Sequence, residues 1–302
     1  MIQEAQKKIF DPSPEYSILE NAHFVVASIP LEATVSYGGG TASGPEAIID
    51  ASQQIELYDV EEDFYPQKAG IATIEPPKLF SSAQEGIDYA YGVTREIVQM
   101  KKFPIILGGE HSLSTGPIRA LSERYPSFSI LHFDAHGDLR DTLHGDPLSH
   151  ACVLRRCLEV PEVEQLVQVG IRNVSNDPLD GNEFDFIRNN KEKITIWYAK
   201  DMREWNYDAI LDKLGEFVYI TFDVDALDPS IMPATGTPEP GGMDWQTSIG
   251  ILKKVCANRT IIGFDVVELA PIAGFHAPNF LVAKLVYKII GFVAQKEKLL
   301  PV

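Results

Sequence analysis

The stretch Phe133-Asp134-Ala135-His136-Gly137-Asp138 comes directly after the apolar run 128–133, which is typical of a buried strand. In an extended backbone every second side chain points to the same side, so Asp134, His136 and Asp138 converge if that geometry continues past the strand. Carboxylates and imidazoles in this pattern are typical of a metal site. A solvated loop at a strand end shows the same pattern, so this stretch alone leaves both interpretations open.

Two other apolar runs end in polar side chains of the same kinds. The run 219–222 leads into Asp223-Val224-Asp225-Ala226-Leu227-Asp228-Pro229, which again places acids two residues apart. The run 103–107 passes into Gly108-Gly109-Glu110-His111-Ser112, where the glycines permit a sharp turn. Ligands of open α/β sheets bind beyond the carboxyl ends of the strands, so the three runs predict one crevice. We interpret Asp228, which precedes a proline, as a structural cap.

Strand and helix patterns alternate along most of the chain, from a strand at 23–28 to a last helix at about 278–295. This alternation predicts an α/β protein whose mostly parallel sheet is covered by helices on both faces. We expect a single domain over residues 1–302, with an irregular lead-in over about residues 1–20. Two strand candidates, 55–60 and 68–74, are expected near a sheet edge. Ser43 and Glu46 match a capping box and predict a helix that ends near Gln53.

The composition excludes several classes of partner. The 43 acidic and 26 basic residues give a formal net charge of -17, which argues against nucleic acid and against anionic membrane surfaces and weakly favours a small cationic substrate. The cysteines, Cys152, Cys157 and Cys256, are odd in number and form no Cys-x-x-Cys pair, so we expect buried, reduced thiols. We see no apolar signal core and no stretch long and uncharged enough to span a bilayer, and we expect a cytoplasmic protein.

The candidate donors are four carboxylates and two imidazoles: His111, Asp134, His136, Asp138, Asp223 and Asp225. They are too many, and too rich in oxygen, for one tetrahedral zinc ion. Two divalent ions fit better, with manganese the first choice and magnesium, iron and cobalt left open. Two ions about 3.5–4 Å apart can share a water and lower its pKa to about 7. The set therefore predicts a hydrolase.

On these motifs the chain resembles the ureohydrolase family, which includes arginases and agmatinases. Two further motifs, Thr235-Gly236-Thr237-Pro238-Glu239 and Asp265-Val266-Val267-Glu268, follow in the family's order. The resemblance implies an arginase-like, three-layer α/β/α fold with an eight-stranded parallel sheet. It also implies two Mn²⁺ ions, assembly into homo-oligomers (trimers or hexamers), and release of urea from a small cationic guanidino substrate.

The resemblance assigns the two ions overlapping ligand sets. One set is His111, Asp134, Asp138 and Asp223, and the other is His136, Asp134, Asp223 and Asp225. Asp134 and Asp223 would therefore bridge the ions, which is reasonable because a carboxylate has two oxygens.

The resemblance also assigns the groups that act on the substrate. Glu268 would accept a forked pair of hydrogen bonds from the guanidinium, with Thr237 beside the substrate. His150 would contact the substrate and protonate the leaving amine. His144 competes for that role, but the spacing of His150 from Asp138 is closer to the family pattern. The histidines at three other positions are interpreted as structural: His23, His132 and His276.

The substrate is less strongly specified. Leu139-Arg140-Asp141 follows Asp138, and residues 170–175 lack the aspartates with which arginases meet an α-amino group, which argues against arginine. The resemblance favours the agmatinase branch, which converts agmatine into putrescine and urea. Guanidinobutyrate, guanidinopropionate, guanidine and arginine remain alternatives. Two other classes are a phosphoesterase, which would need anion-binding groups around the metals, and a non-catalytic binding protein.

Overall fold

The computed structural model describes residues 2–77 and 79–299, and its centre is one eight-stranded sheet. The strands are β1 (Phe24–Ile29), β2 (Ile71–Thr73), β3 (Phe103–Gly108), β4 (Phe128–Phe133), β5 (Val163–Ile171), β6 (Ile194–Tyr198), β7 (Phe217–Asp223) and β8 (Thr260–Val267). Their order is β2-β1-β3-β8-β7-β4-β5-β6, and all neighbouring strands are parallel. The predicted fold class is confirmed.

Helices cover both faces of this sheet. They are α1 (Pro14–Ser17), α2 (Gly44–Ser52), α3 (Ala83–Gln99), α4 (Thr115–Ser122), α5 (Val153–Leu158), α6 (Glu183–Asn189), α7 (Tyr207–Leu211), α8 (Trp245–Asn258) and α9 (Ala277–Lys296). Helices α2, α8 and α9 share one hydrophobic core with the sheet. Helices α3, α4 and α5 contribute to the cores on the opposite face. The result is the three-layer arrangement expected for a parallel sheet.

The four middle strands, β3, β8, β7 and β4, position the candidate site. They are neighbours in the sheet and run in the same direction, so their carboxyl ends meet at one edge. Every residue of β3 and β4 is buried, which explains their mostly apolar character.

One predicted strand is wrong. Residues 55–60 form an irregular segment with a single isolated bridge, Asp59 to Phe64, and the candidate at 68–74 is a strand only over Ile71–Thr73. The segment packs on helix α9 instead of pairing: Tyr287 of α9 donates a hydrogen bond to the carbonyl oxygen of Leu57 at 2.6 Å. Side-chain contacts thus replace the strand partner.

The predicted capping box at Ser43 is also wrong. Ser43 already has helical backbone angles (φ -87°, ψ -8°), and its side chain makes no capping bond. A 3-10 turn over Thr41–Ser43 runs directly into α2, whereas a capping residue needs an extended backbone. The helix ends at Ser52, as predicted.

The N-terminal lead-in is irregular, apart from the single turn α1, but it is packed against the core. Ile9 and Phe10 are buried. The amide of Ile9 donates to Oγ1 of Thr73 at 2.9 Å, and that of Phe10 donates to Oγ of Ser52 at 2.8 Å. The lead-in therefore covers β2 and the end of α2.

Helix α9 differs from the expectation about membrane spans. By length and composition alone its 20 residues, with a mean hydropathy of 1.4, are enough to cross a bilayer. In the structure 72% of the apolar window is buried inside the protein, and the buried Lys288 bonds to Asp59 at 2.8 Å. The apolar character of α9 therefore reflects a core position. The three cysteines are buried and unpaired, as predicted.

Candidate metal centre and active site

His111 is positioned by a close contact between the backbone at Gly109 and the backbone at Leu31. A Cβ atom at Gly109 would lie 1.9 Å from the carbonyl oxygen of Leu31, so only glycine fits there. The amide of Gly109 donates to the carbonyl of Ile29 at 2.9 Å, and its carbonyl accepts from the amide of Glu268 at 2.8 Å. The ends of β1, β3 and β8 are thereby joined beneath the site.

Three carboxylates surround Nδ1 of His111, which is itself buried. This nitrogen lies 3.2 Å from Oδ2 of Asp138, 3.3 Å from Oδ2 of Asp134 and 3.5 Å from Oδ2 of Asp223. It makes no hydrogen bond to any described residue. The carboxylates outweigh burial and raise the pKa of His111. Positive charge is therefore strongly favoured between these atoms.

The hydrogen bonds of the other ring nitrogen, Nε2, set the tautomer of His111. Nε2 lies 2.8 Å from Oγ1 of Thr221, whose hydroxyl donates to Oδ1 of Asp265 at 2.6 Å. Because that hydroxyl proton is committed to Asp265, Nε2 is the donor to Thr221, so in the neutral ring Nδ1 carries the lone pair and directs it at the carboxylates. A lone pair facing three carboxylates fits a bound cation, and an outer acid that fixes the tautomer is typical of metal-binding histidines.

A second group forms around His136. Its Nδ1 lies 2.9 Å from Oδ2 of Asp225 and 3.4 Å from Oδ1 of Asp134, and these acids outweigh burial and raise its pKa to about 12. The two oxygens of Asp134 therefore face different histidines, consistent with its predicted bridging role. Asp223 uses Oδ1 to accept the amide of Asp225 at 2.8 Å, so the bridging role of Asp223 stays a prediction.

The cluster as a whole carries an excess of acidic groups. Burial and neighbouring carboxylates raise the pKa of Asp223 and Asp225. Burial also opposes ionisation of Asp134, but His132, His111 and His136 outweigh it and lower its pKa. Four carboxylates face two imidazoles, and the donors are mainly hard oxygens. The residues therefore fit two divalent cations of the manganese or magnesium type.

His132, interpreted from the sequence as structural, also belongs to this environment. It is buried in β4, and its Nε2 lies 2.8 Å from Oδ2 of Asp134. The signal was present in the sequence, because the alternation of Asp134, His136 and Asp138 extends backwards by one step to residue 132.

A cavity of about 250 Å³ opens over the cluster. Its lining includes these predicted residues: His136, Asp138, His150, Asp223, Asp225, Thr237 and Glu268. Among the described residues, His144 does not line the cavity; it is exposed in a turn with a φ of 53°. The placement favours His150 over His144 as the histidine that reaches a substrate.

Glu268 stands in the cavity wall in a strained conformation. Its φ is 66°, and that of Asp138 is 52°, values rarely adopted by residues other than glycine. Such strain is common at functional sites. Oε1 of Glu268 accepts the amide of His111 at 2.6 Å, and burial raises the pKa of this carboxyl to about 8.

Sequence reasoning missed two residues that hold the loops around the cavity. Buried Glu183 accepts the amides of Leu139 at 2.8 Å and Ser175 at 2.7 Å. Arg172 donates to the carbonyl oxygens of Asp225 and Glu239, both at 2.7 Å. Neither residue carries a local motif.

The predicted cap, Asp228, lies in the long loop that follows β7. Its carboxylate accepts the amides of Ser230 at 3.0 Å and Gly241 at 2.9 Å, as a structural role requires.

Comparison with known proteins gives a consistent result. The sequence model of the arginase family matches residues 22–291. The chain is 35% identical to N(1)-aminopropylagmatine ureohydrolase of Synechocystis sp., over 96% of this chain and 95% of the relative. It is 31% identical to agmatinase of Pyrococcus horikoshii, over 92% and 94%. The solved agmatine ureohydrolase of Thermoplasma volcanium superposes with a TM-score of 0.84 at 29% identity, covering 97% of this chain and 96% of that chain.

Proposed function

Because the chain belongs to the arginase family and is a ureohydrolase of the agmatinase type, we propose that it cleaves an agmatine-class guanidine to urea and an amine. Agmatine, which would give putrescine, is the leading substrate. N(1)-aminopropylagmatine is the second candidate, since relatives at 35% and 36% identity carry that name.

The charge of the cavity lining carries this proposal. Five carboxylates line it, against one arginine, Arg140: Asp138, Glu183, Asp223, Asp225 and Glu268. Three of the five, Asp138, Asp223 and Asp225, would hold the ions, which leaves the carboxylate of Glu268 to bind a guanidinium cation, whereas a phosphoester needs further cations or amide donors beside the metals. This balance supports an amidinohydrolase over a bimetal phosphoesterase.

Manganese is the proposed cofactor. His111, Asp134, Asp138 and Asp223 would hold one ion, and His136, Asp134, Asp223 and Asp225 would hold the other. When bound, such a pair of ions lowers the pKa of water and makes hydroxide available at neutral pH.

The remaining roles belong to side chains in the cavity wall. Glu268 binds and orients the guanidinium: Oε1 is engaged by the amide of His111, which leaves Oε2 to accept from the substrate. Burial makes the charge of Glu268 unfavourable by itself, and a cationic substrate offsets that penalty. His150 delivers a proton to the leaving amine, which would otherwise depart as a strongly basic anion.

The experiment is a urea-release assay with the Mn²⁺-supplied protein and a metal-stripped control. The substrates are agmatine, N(1)-aminopropylagmatine, arginine, guanidinobutyrate, guanidinopropionate and guanidine. Asp223→Asn should be inactive, whereas Asp212→Asn, at an exposed position, should match the wild type.

Metal-dependent urea release that is fastest with agmatine supports the full proposal. A preference for N(1)-aminopropylagmatine or another guanidine keeps the reaction and replaces the substrate. No urea from any of the six, with both ions bound, would contradict the proposal and favour a binding protein.

A further inference from the structure

A threonine and a buried glutamate are linked to His150, the proposed proton donor. The hydroxyl of Thr34 donates to Oε1 of Glu110 at 2.9 Å. The same Oγ1 accepts the backbone amide of His150 at 3.0 Å and lies 3.2 Å from Nδ1 of the His150 ring. Glu110 is fully buried and also accepts the amide of Thr34 at 2.6 Å. The hydroxyl is thus held between a carboxylate and an imidazole.

The single proton of this hydroxyl decides the state of the ring. If Thr34 donated to His150, its oxygen and the Glu110 oxygen would face each other at 2.9 Å without a proton between them. Donation to the carboxylate avoids that repulsion and gives the stronger, charge-assisted bond. Thr34 can then only accept from His150, so Nδ1 must carry a hydrogen.

We propose that Thr34, held by Glu110, is a positioning residue that keeps a proton on Nδ1 of His150 and so makes Nε2 the nitrogen that exchanges protons with the substrate. This inference rests on the proposed function only in taking His150 as the acid. The acid–threonine pair is oriented by contacts present in the protein itself.

The structure uses the same arrangement a second time. Asp265, Thr221 and His111 form an acid–threonine–histidine series in which the threonine fixes the protonated nitrogen. In that series the free nitrogen faces the candidate metal ligands. In the series from Glu110 the free nitrogen belongs to a histidine that lines the cavity. Outer partners of this kind orient a functional imidazole and set its tautomer.

The ring of His150 can give up one proton and keep the other. As the bond between the guanidine carbon and the leaving nitrogen breaks, that nitrogen takes the proton from Nε2 of the His150 imidazolium. The ring is left neutral with its remaining proton on Nδ1, where it donates to Thr34. Without Thr34 the neutral ring has no fixed tautomer, and part of the population holds its proton on the wrong nitrogen.

One neighbouring group competes for the same nitrogen. Oγ of Ser149 lies 3.4 Å from Nδ1 of His150, longer than the contact from Thr34. Ser149→Ala therefore serves as the matched test of the alternative partner, and it should leave turnover close to that of the wild type.

The kinetic test compares Thr34→Val, which keeps the shape and removes the hydroxyl, with Thr34→Ser, which restores the hydroxyl. Thr34→Val should lower kcat at least about tenfold while KM stays nearly constant, as expected for loss of an outer partner of a functional histidine. Thr34→Ser should recover most of that loss. Thr94→Val is the control for a threonine-to-valine change at a buried position. The Thr94 hydroxyl, on α3, has no hydrogen-bond partner among the described residues.

A double variant separates this mechanism from a purely structural role. In the His150→Asn background, Thr34→Val should cause no further loss of kcat. An equal loss in both backgrounds, or a failure of Thr34→Ser to rescue, would overturn the proposal.

The tautomer is measured without turnover, by ¹⁵N-histidine NMR of the protein supplied with diamagnetic Mg²⁺, with His150→Asn assigning the signal. The wild type and Thr34→Ser should show the Nδ1–H form, and Thr34→Val a mixture. A wild-type signal of the Nε2–H form would refute the inference even if urea release is normal. Conversely, an Nδ1–H signal in a protein that releases no urea would retain it and reject the proposed function.

Discussion

The imidazole of His132 donates from Nε2 to Oδ2 of Asp134 across 2.8 Å, and a glutamine on the next strand fixes that direction. Nε2 of Gln168 donates to the carbonyl oxygen of Gly137 at 2.7 Å and lies 2.9 Å from Nδ1 of His132. A carbonyl only accepts, so the amide orientation is set, and Nδ1 of His132 is the acceptor. The proton of the ring is therefore on Nε2, facing the central carboxylate of the proposed metal centre.

We predict that Gln168→Leu weakens metal binding by about tenfold or more, because the ring of His132 then loses its fixed tautomer and Asp134 its oriented donor. Binding is measured by titrating the metal-stripped protein with Mn²⁺. Gln165→Leu, in the same strand with an exposed side-chain bond to Glu192, is the matched control and should bind normally. Equal Mn²⁺ affinity in the wild type and Gln168→Leu would show that the tautomer of His132 does not matter.

Glu268 offers a second prediction because its two oxygens have different tasks. Glu268→Gln can keep the acceptor for the amide of His111 but loses the negative charge, so kcat/KM for the guanidine should fall by about a hundredfold, the range of a lost charge-assisted bond. Metal content should stay at the wild-type value, as measured by elemental analysis. Loss of the metal together with activity would place Glu268 in the metal centre instead.

The two competing histidines give a third prediction. His150→Asn should slow urea release by about a hundredfold or more and leave the metal bound, since it removes a general acid. His144→Asn should have nearly wild-type rates, because His144 is exposed and, unlike the neighbouring Leu143, does not line the cavity. The reverse pattern of rates would transfer the proton-donating role to His144.

The sequence predicted that the candidate ligands lie together because their signal is local. Side chains at alternate positions after a strand must share a side, and parallel strands must end at the same edge. His132 fits the same alternation, but a histidine inside an apolar strand is ordinarily interpreted as a core residue.

The residues that sequence reasoning missed lack any local signal. Thr34 approaches His150 across 116 positions, and Glu183 reaches the amide of Leu139 across 44. Such pairings arise from the packing of loops and leave no period in the sequence. The strand predicted at residues 55–60 is wrong because its partner is also distant in sequence. Apolar residues predict packing against the core, but they do not show whether the partner is a strand or, as here, helix α9.

Glu183 gives a pH-dependent prediction. Burial outweighs its two amide hydrogen bonds and raises its pKa to about 7, above the ordinary 4.5. The unfolded chain therefore loses this proton first, so the stabilisation is complete below pH 4.5 and is lost as the pH rises to about 7, by up to about 3 kcal/mol. In chelator-treated protein, denaturant unfolding should show the wild type losing stability relative to Glu183→Gln between pH 5 and 8. The exposed control Glu192→Gln should track the wild type. A wild type that gains stability relative to Glu183→Gln over that range would mean that the amide bonds outweigh burial and lower the pKa.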